Sequence, residues 1–496
     1  MIFSSPVFVL LFLPVVLLAT VASPRSWRNA VLLLASLFFY AWGEGPFVLV
    51  MLSSIAANFG FGLWIERAHT RAAGKRASRL PLWLAVAFNL GLLSLFKYAD
   101  WLRHEAGQLL GIRDFGKTAR PFLDQLGLVE TYSEGWRLHL PIGISFFTFQ
   151  ALSYVVDVHR RSVPAQRSLL RFGMYVSLFP QLIAGPIVRY RDIAAEIASR
   201  SIRVHEFAEG VRRFVIGLAK KLLIANALAQ PVDRIFDLPT EQIAPSVAWV
   251  AMVGYGLQIY FDFSGYSDMA IGLGRMLGFR FLENFRHPYV SRSITDFWRR
   301  WHISLSSWFR DYLYIPLGGN RAGRTRTYLN LLIVFALCGL WHGASWSFLV
   351  WGLYHGAFLI LERAGGATIL ERLPSVLRLG YALLAVFIGW VFFRAETLPQ
   401  ALGLISAAFG APGEKAHFTN TALYLTPHVK LVLVAGIVAC APWLDVLRKL
   451  RSRLATNRRR TLAFEAMSLL ATGALFYGSL LELAAGTYNP FIYFRF

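Results

Sequence analysis

The sequence is short of three things, and each shortage excludes something. Only two of its 496 residues are cysteines, Cys338 and Cys440. Both fall inside apolar runs, so no disulfide framework can be argued and no metal-type spacing exists. Charged residues make up 16% of the chain against 56% hydrophobic and 15% aromatic, and the mean hydropathy is +0.49. That balance lies outside the soluble globular range and points to a polytopic membrane protein. Acidic residues are the scarcest, 28 against 50 Lys and Arg, for a net charge of +22. In a soluble chain such an excess suggests nucleic acid. Here the charges sit between apolar runs, so the excess reads as membrane topology, with no nucleic-acid partner expected. Internal repeats, low-complexity segments and a Pro/Gly-rich linker are also missing, which predicts a single integral membrane domain over 1–496.

What the chain has in quantity is apolar sequence. A spanning helix needs about 20 mostly apolar residues, and roughly eleven to thirteen candidates can be counted on that criterion. The clearer ones lie near 6–22, 28–42, 46–65, 80–96, 140–157, 171–188, 245–261, 328–361 (long enough for two), 379–393, 431–447 and 464–485. Runs this long and apolar are not the alternating strands of a barrel, so the fold class is all-α. The first run has small residues near Ala22 but lacks a basic n-region and is followed at once by another run. It reads as a retained helix, not a signal peptide.

Charge asymmetry sets the orientation. Loop 66–79 has five basic residues against one acidic, 158–171 has four Arg and no acid, and 446–460 has seven basic and none acidic. These three are expected in the cytoplasm. Segment 97–137 balances six basic against six acidic, and 395–428 is nearly uncharged, so both are expected outside. Alternation of the spans then places both termini outside.

Ionisable residues at membrane depth cost about 2.5–3.5 kcal/mol for a central charge and are functional candidates by default. They concentrate between 255 and 355. In "WRRWHISLSSWFRDY" (298–312) Trp298, Trp301, His302, Leu305, Trp308, Phe309 and Tyr312 recur at steps of three and four. This predicts one amphipathic helix with His302 on its apolar stripe. His302 is then either a satisfied core histidine or part of a site. The run from Tyr328 to Trp341 spans roughly 21 Å as helix, less than the ~30 Å hydrocarbon core. His342 therefore falls at membrane depth whether the chain turns at Gly343 or continues. It is either structural or a base, since imidazole with an unperturbed pKa near 6.5 accepts a proton at cellular pH. His355 falls on a different face of a continuous helix and reads as structural. Cys338 reads as a small buried hydrophobe, although a thiol four residues before His342 can carry an acyl group. Asp262 and Asp268 flank "FSG" and are candidates for orienting a histidine, lining a proton path or capping a helix. No G-x-S-x-G elbow occurs, and His302 and His342 lack the paired i, i+4 ligands of a metal site, so no metal is expected.

Five stretches carry a resemblance: "LPIGISFFTFQALSYVVDVHR" (140–160), "FPQLIAGPIVRY" (179–190), "YFDFSGYSDMAIGLG" (260–274), "FRHPYVSRSITDFWRRWHISLSSWFRDYLYIPLGGNR" (285–321) and "GLWHGASW" (339–346). They resemble the membrane-bound O-acyltransferase family, in particular its bacterial branch that O-acetylates extracellular polysaccharide such as alginate. The likeness covers nearly the whole chain, with the motif-rich core at residues 140–360. It implies a ring of helices around a thinned centre, where a cytoplasmic funnel meets an outward one. It implies His342, in "LWHG", as the catalytic histidine and His302, in "RRWHISLS", as a second polar residue of the reaction centre. It further implies the bacterial cytoplasmic membrane, acetyl-CoA as the cytoplasmic donor, and an extracytoplasmic acetyltransferase partner that modifies the polysaccharide. Cys338 matches no position that the pattern requires. The ending "NPFIYFRF" does not settle which polymer is the acceptor.

The expected chemistry is acyl transfer from a thioester to a hydroxyl. His342 is the general base, and His302 orients the donor or polarises its carbonyl. Arg299, Arg300, Arg310, Lys220 and Lys221 are candidates for the donor's phosphates, against ordinary interface anchoring. The rivals are a transporter or exporter subunit, leaning on Asp262 and Asp268 as relay residues, and a docking scaffold without chemistry. The sequence shows no paired broken segments of a repeat-built transporter.

Overall fold

Four glycines set the centre of the molecule. In the computed structural model, which describes all residues except 73–76, 111–123, 125–128, 133–134, 322, 412, 414, 417–418, 455–457, 487, 491 and 493–496, the helices Val204–Ala219 and Pro245–Met276 pack antiparallel. Gly210 faces Gly272 and Gly217 faces Gly265. A methyl group on Gly210 would sit 2.7 Å from the Gly272 carbonyl oxygen, and one on Gly217 2.5 Å from that of Gly265. Only hydrogen on the α-carbon lets the two backbones approach this closely, the usual solution for helix pairs in lipid, where packing rather than hydrophobicity drives association. The Pro245–Met276 helix is buried over most of its 32 residues and forms the axis of the core.

The chain is an all-α polytopic membrane protein. Around the axis lie Arg28–Glu44, Val48–Arg71, Leu80–Leu110, Ile144–His159, Arg324–His342, Trp346–Leu361, Ser375–Arg394 and Arg458–Ala484, with shorter helices between them. The described strands form one hairpin, Val129–Tyr132 with Gly135–Leu138, antiparallel with Val129 opposite Leu138. Among the described residues five stretches are long and apolar enough to cross a membrane, and three shorter apolar helices accompany them.

That number is below the sequence count, for local reasons. The run at 171–188 breaks into Leu169–Ser177 and Phe179–Leu182, with Pro180 and Pro186 interrupting it. The run at 431–447 breaks before Pro442. The run at 328–361 turns at Gly343 and forms two helices. One crossing escaped the sequence reading: Val204–Phe236, whose cations Arg213, Lys220 and Lys221 disguise it. Arg213 and Lys220 pair with Asp268 at 2.8 and 2.6 Å, and Lys221 pairs with Asp262 at 2.5 Å. Asp262 and Asp268 therefore sit mid-helix as ion-pair partners and cap no helix end.

Contacts sort the loops into two faces. Met1 lies beside Gly43. Glu44 accepts from the amide of Ile142 at 3.1 Å and meets His139 at 2.9 Å, and Asn489 donates to the carbonyl of Ser4 at 2.9 Å. The two ends of the described chain thus share a face. The next helix runs back across, and there Glu66 accepts from the amide of Ala165 at 3.0 Å while Arg161 meets His69 at 3.3 Å. The described parts of the basic loops 66–79 and 158–171 share this opposite face, as the charge pattern predicts, and residues 73–76 lie outside the described residues.

Candidate functional site

His342 is the last residue of Arg324–His342, and the next helix returns at once through Gly343–Ser345. Close backbone packing holds this turn. A methyl group on Gly339 would collide with the Phe348 carbonyl, and one on Gly343 with the Phe348 ring. The imidazole is 5% exposed and packed edge-on against Trp341, Trp351 and Phe393, with ring centroids at 4.8, 5.1 and 5.1 Å.

His302 departs from the sequence expectation. Residues 298–312 do not form one amphipathic helix. Ile294–Arg300 and Ile303–Phe309 are separate helices, and His302 stands between them in the left-handed region with φ 44°. A non-glycine residue in that region is strained and persists only where its surroundings over-determine it. Here they do. The Asn284 carbonyl accepts from the Ile303 amide at 3.0 Å, and the amide of Arg286 donates to the Arg300 carbonyl at 2.9 Å, so segment 284–286 threads across the break. Asn284 Oδ1 then accepts from the Ser304 amide, the Ser304 hydroxyl and His302 Nδ1, at 3.2, 2.9 and 3.1 Å. Its Nδ2 donates to Ser267 Oγ at 3.0 Å. Since a backbone N–H only donates, the amide orientation is fixed, and neutral His302 carries its proton on Nδ1. Nε2 presents a lone pair.

The two histidines are brought together through Trp341, whose ring lies 6.3 Å from that of His302 and 4.8 Å from that of His342. His355 lies on the returning helix, not on a continuation of the first. It joins the same aromatic cluster through Trp351 at 5.2 Å and Trp298 at 5.2 Å. The cluster leaves several buried polar atoms without a hydrogen-bond partner among the described residues: His302 Nε2, His342 Nδ1, both ring nitrogens of His355, and the indole nitrogens of Trp298, Trp341 and Trp351. Buried polar groups are normally satisfied. Here the unsatisfied ones concentrate around the two histidines, which makes this cluster the candidate site.

Towards the basic face, the Ile303–Phe309 helix leads from His302 past Ser307, which accepts from Arg189 at 2.9 Å, to Arg310. Arg310 belongs to a cluster with Arg160, Arg189 and Arg191 around Asp311, Asp157 and Tyr312. Asp311 takes ion pairs from Arg310, Arg189 and Arg191 at 2.7, 2.7 and 3.2 Å. Burial works against its charge, yet the hydrogen bonds from Arg310 and Arg189 hold its carboxyl below the ordinary range. Three guanidinium groups lie 5.2 to 5.8 Å from the Tyr312 ring. Arg189 and Arg191 were missed in the sequence, where "VRYRD" offers only alternating charge. Arg299 and Arg300 are not in this cluster: Arg299 is exposed, and Arg300 pairs with Asp296 at 2.8 Å. Lys220 and Lys221 pair with Asp268 and Asp262 of the central helix and are not in this cluster. Cys338 is a buried thiol, and no group of three metal-ligating side chains occurs among the described residues.

On the other face a cavity of about 840 Å³ reaches the His342 turn. Its lining includes Lys97, Asp100, Gly343, Phe393, Arg394 and Glu396. Lys97 is a second miss. It ends the apolar run 80–96, reads there as the first loop residue, and is in fact buried.

A family model described as the membrane-bound O-acyltransferase family matches residues 34–371. A probable alginate O-acetylase of Azotobacter vinelandii is 41% identical, with all of both chains covered. One from Pseudomonas aeruginosa is 46% identical over 82% of this chain and 75% of its own. A peptidoglycan O-acetyltransferase of Helicobacter pylori is 32% identical over 100% of this chain and 98% of its own.

Proposed function

The chain belongs to the membrane-bound O-acyltransferase family and is an O-acyltransferase, and from that premise we propose that it relays acetyl groups across the bacterial cytoplasmic membrane. The donor is acetyl-CoA, arriving at the basic, cytoplasmic face. The final acceptor is an extracytoplasmic polysaccharide such as alginate, reached through a partner acetyltransferase that docks at the opposite face. One observation carries this reading. A continuous series of groups runs from the Arg160–Arg189–Arg191–Arg310 cluster along the Ile303–Phe309 helix to His302, across Trp341 to His342, and out to the 840 Å³ cavity.

His342 acts as general base. It removes the proton of the incoming hydroxyl as the oxygen attacks the thioester carbonyl. The C–O bond forms, the C–S bond breaks, and the proton passes from the imidazole to the leaving thiolate. His302, locked by Asn284 with its lone pair on Nε2, orients the donor by accepting a hydrogen bond. As a neutral ring it does not polarise the carbonyl, because that needs an N–H on the facing nitrogen. Arg191 and Arg310, the more exposed members of the cluster, meet the donor's phosphates with charge-assisted hydrogen bonds, and buried Arg189 holds Asp311 and Ser307 beneath them. The transporter reading loses its main support, since Asp262 and Asp268 are both engaged in ion pairs.

Liposomes carrying the purified protein, labelled acetyl-CoA and the outside partner test the proposal. Release of free CoA that requires His342 supports it. Undiminished acetyl transfer by His342→Ala, or transport of intact polymer without CoA release, defeats it.

A further inference from the structure

The helix that carries His342 ends at Gly343, whose amide donates to the Gly339 carbonyl at 3.3 Å, and the carbonyls after Gly339 are left over. The last carbonyls of any helix lack intrahelical partners, and at a buried end they need donors from elsewhere. Here they come from two adjacent residues of Leu80–Leu110. Tyr98 Oη donates to the Leu340 carbonyl at 2.9 Å. Lys97 Nζ donates to the carbonyl of Trp341 and, at 3.2 Å, to that of His342 itself. Three successive carbonyls are thus held by one Lys–Tyr pair, across more than 240 residues of sequence. Lys97 is buried, 5.8 Å from the Trp341 ring centroid and 3.5 Å from Ser145 Oγ.

We propose that Lys97 and Tyr98 are positioning residues that fix His342 behind the turn Gly343–Ser345, which lines the 840 Å³ cavity, resting on the reading in which His342 is the base. An ammonium facing the negative end of a helix is favourably placed, and its donors are taken up by the two carbonyls and the nearby Ser145. It is therefore not free to hold a phosphate. Nor is it an acyl carrier, because acylation of an amine by a thioester gives a stable amide that would not pass the acetyl group on. Its effect is geometric: misplacing a catalytic group by 1 Å can cost about 10²-fold in rate.

The test compares wild type, Lys97→Met, Lys97→Arg, Tyr98→Phe and His342→Ala in liposomes, with hydrogen exchange of segment 339–346 measured alongside. Lys97→Met is expected to lower kcat about 10²-fold with donor KM unchanged, and to speed exchange in that segment. Lys97→Arg, which keeps two donors and the charge, restores most of both. Tyr98→Phe shows a smaller loss of the same kind and decides the matter if Lys97→Met does not fold. The proposal is overturned by a wild-type kcat in both Lys97→Met and Tyr98→Phe, by a rise in donor KM at constant kcat, or by unchanged exchange. An active His342→Ala removes the catalytic reading instead, and leaves the exchange result to judge the clamp.

Discussion

His302 Nδ1 lies 3.1 Å from Asn284 Oδ1, an oxygen that also accepts from the amide and hydroxyl of Ser304. One asparagine therefore fixes the tautomer of a buried histidine and the left-handed bend that carries it. The bend sets where the ring points, and the tautomer sets which nitrogen can accept.

Asn284→Ala should remove both controls. Turnover is expected to fall about 10²-fold, within the range that positioned acid–base groups contribute. The measurement is a double-mutant cycle with His302→Ala. If Asn284 acts through His302, adding Asn284→Ala to His302→Ala costs nothing further. Additive losses would mean that the asparagine acts elsewhere.

The Lys221–Asp262 pair makes a stability prediction. Both side chains are buried, at 2.5 Å, and Asp262 also accepts from the amide of Ile492 at 3.2 Å. Removing one partner strands a buried charge. Asp262→Ala should destabilise by about 3–5 kcal/mol, seen as a lower Tm in detergent. The double variant Lys221→Met with Asp262→Leu, which buries no charge, should recover most of the loss. A double variant as unstable as the single one would show that the ion pair itself, not the stranded charge, matters.

Residue patterns revealed the parts of this fold that depend on local sequence. The run at 328–361 is long enough for two helices and charge groups the two basic loops, whereas run length alone left open whether the chain turns at Gly343 or continues. What stayed hidden depends on distant partners. Val204–Phe236 looked too polar because the carboxylates that neutralise Arg213, Lys220 and Lys221 lie on other elements. The break at His302 was invisible because Asn284, 18 residues away, imposes it against a good helical period. Lys97 looked like a loop residue because its acceptors are more than 240 positions along the chain. At the candidate site, depth in apolar sequence drew attention to His342 but left it open between a structural and a catalytic role, the helical stripe that drew attention to His302 does not form, and of the clustered arginines only Arg310 was among the candidates. Arg189 and Arg310 are gathered by Asp311, and only the folded chain brings them together.

That cluster supplies a kinetic prediction. Arg191→Gln or Arg310→Gln should raise the KM for acetyl-CoA by roughly tenfold per lost charge-assisted contact, with little change in kcat, because a contact made equally in the ground and transition states binds the donor without lowering the barrier. Added salt should raise the wild-type KM in the same direction. Arg300→Gln, whose side chain pairs with Asp296 outside the cluster, should leave the donor KM unchanged. Steady-state rates at varied acetyl-CoA decide between these outcomes.

The orientation can be read directly because the chain's two cysteines, Cys338 and Cys440, are both buried and should not react with a polar thiol reagent. A single introduced cysteine then reports one face. Thr70 is exposed on the face of the basic loops, and Ala422 is exposed beside Thr421 and Leu423. The carbonyl of Gln242 accepts from Thr419, near the start of the central helix, so this region lies on the face of the chain termini. The positive-inside rule puts the basic face in the cytoplasm. In intact cells a membrane-impermeant maleimide should label Ala422→Cys, and should label Thr70→Cys only after permeabilisation. The reverse pattern would turn the molecule over. The arginine cluster would then face the outside, where no acetyl-CoA is present, and the relay from a cytoplasmic thioester to an outward hydroxyl would lose its direction.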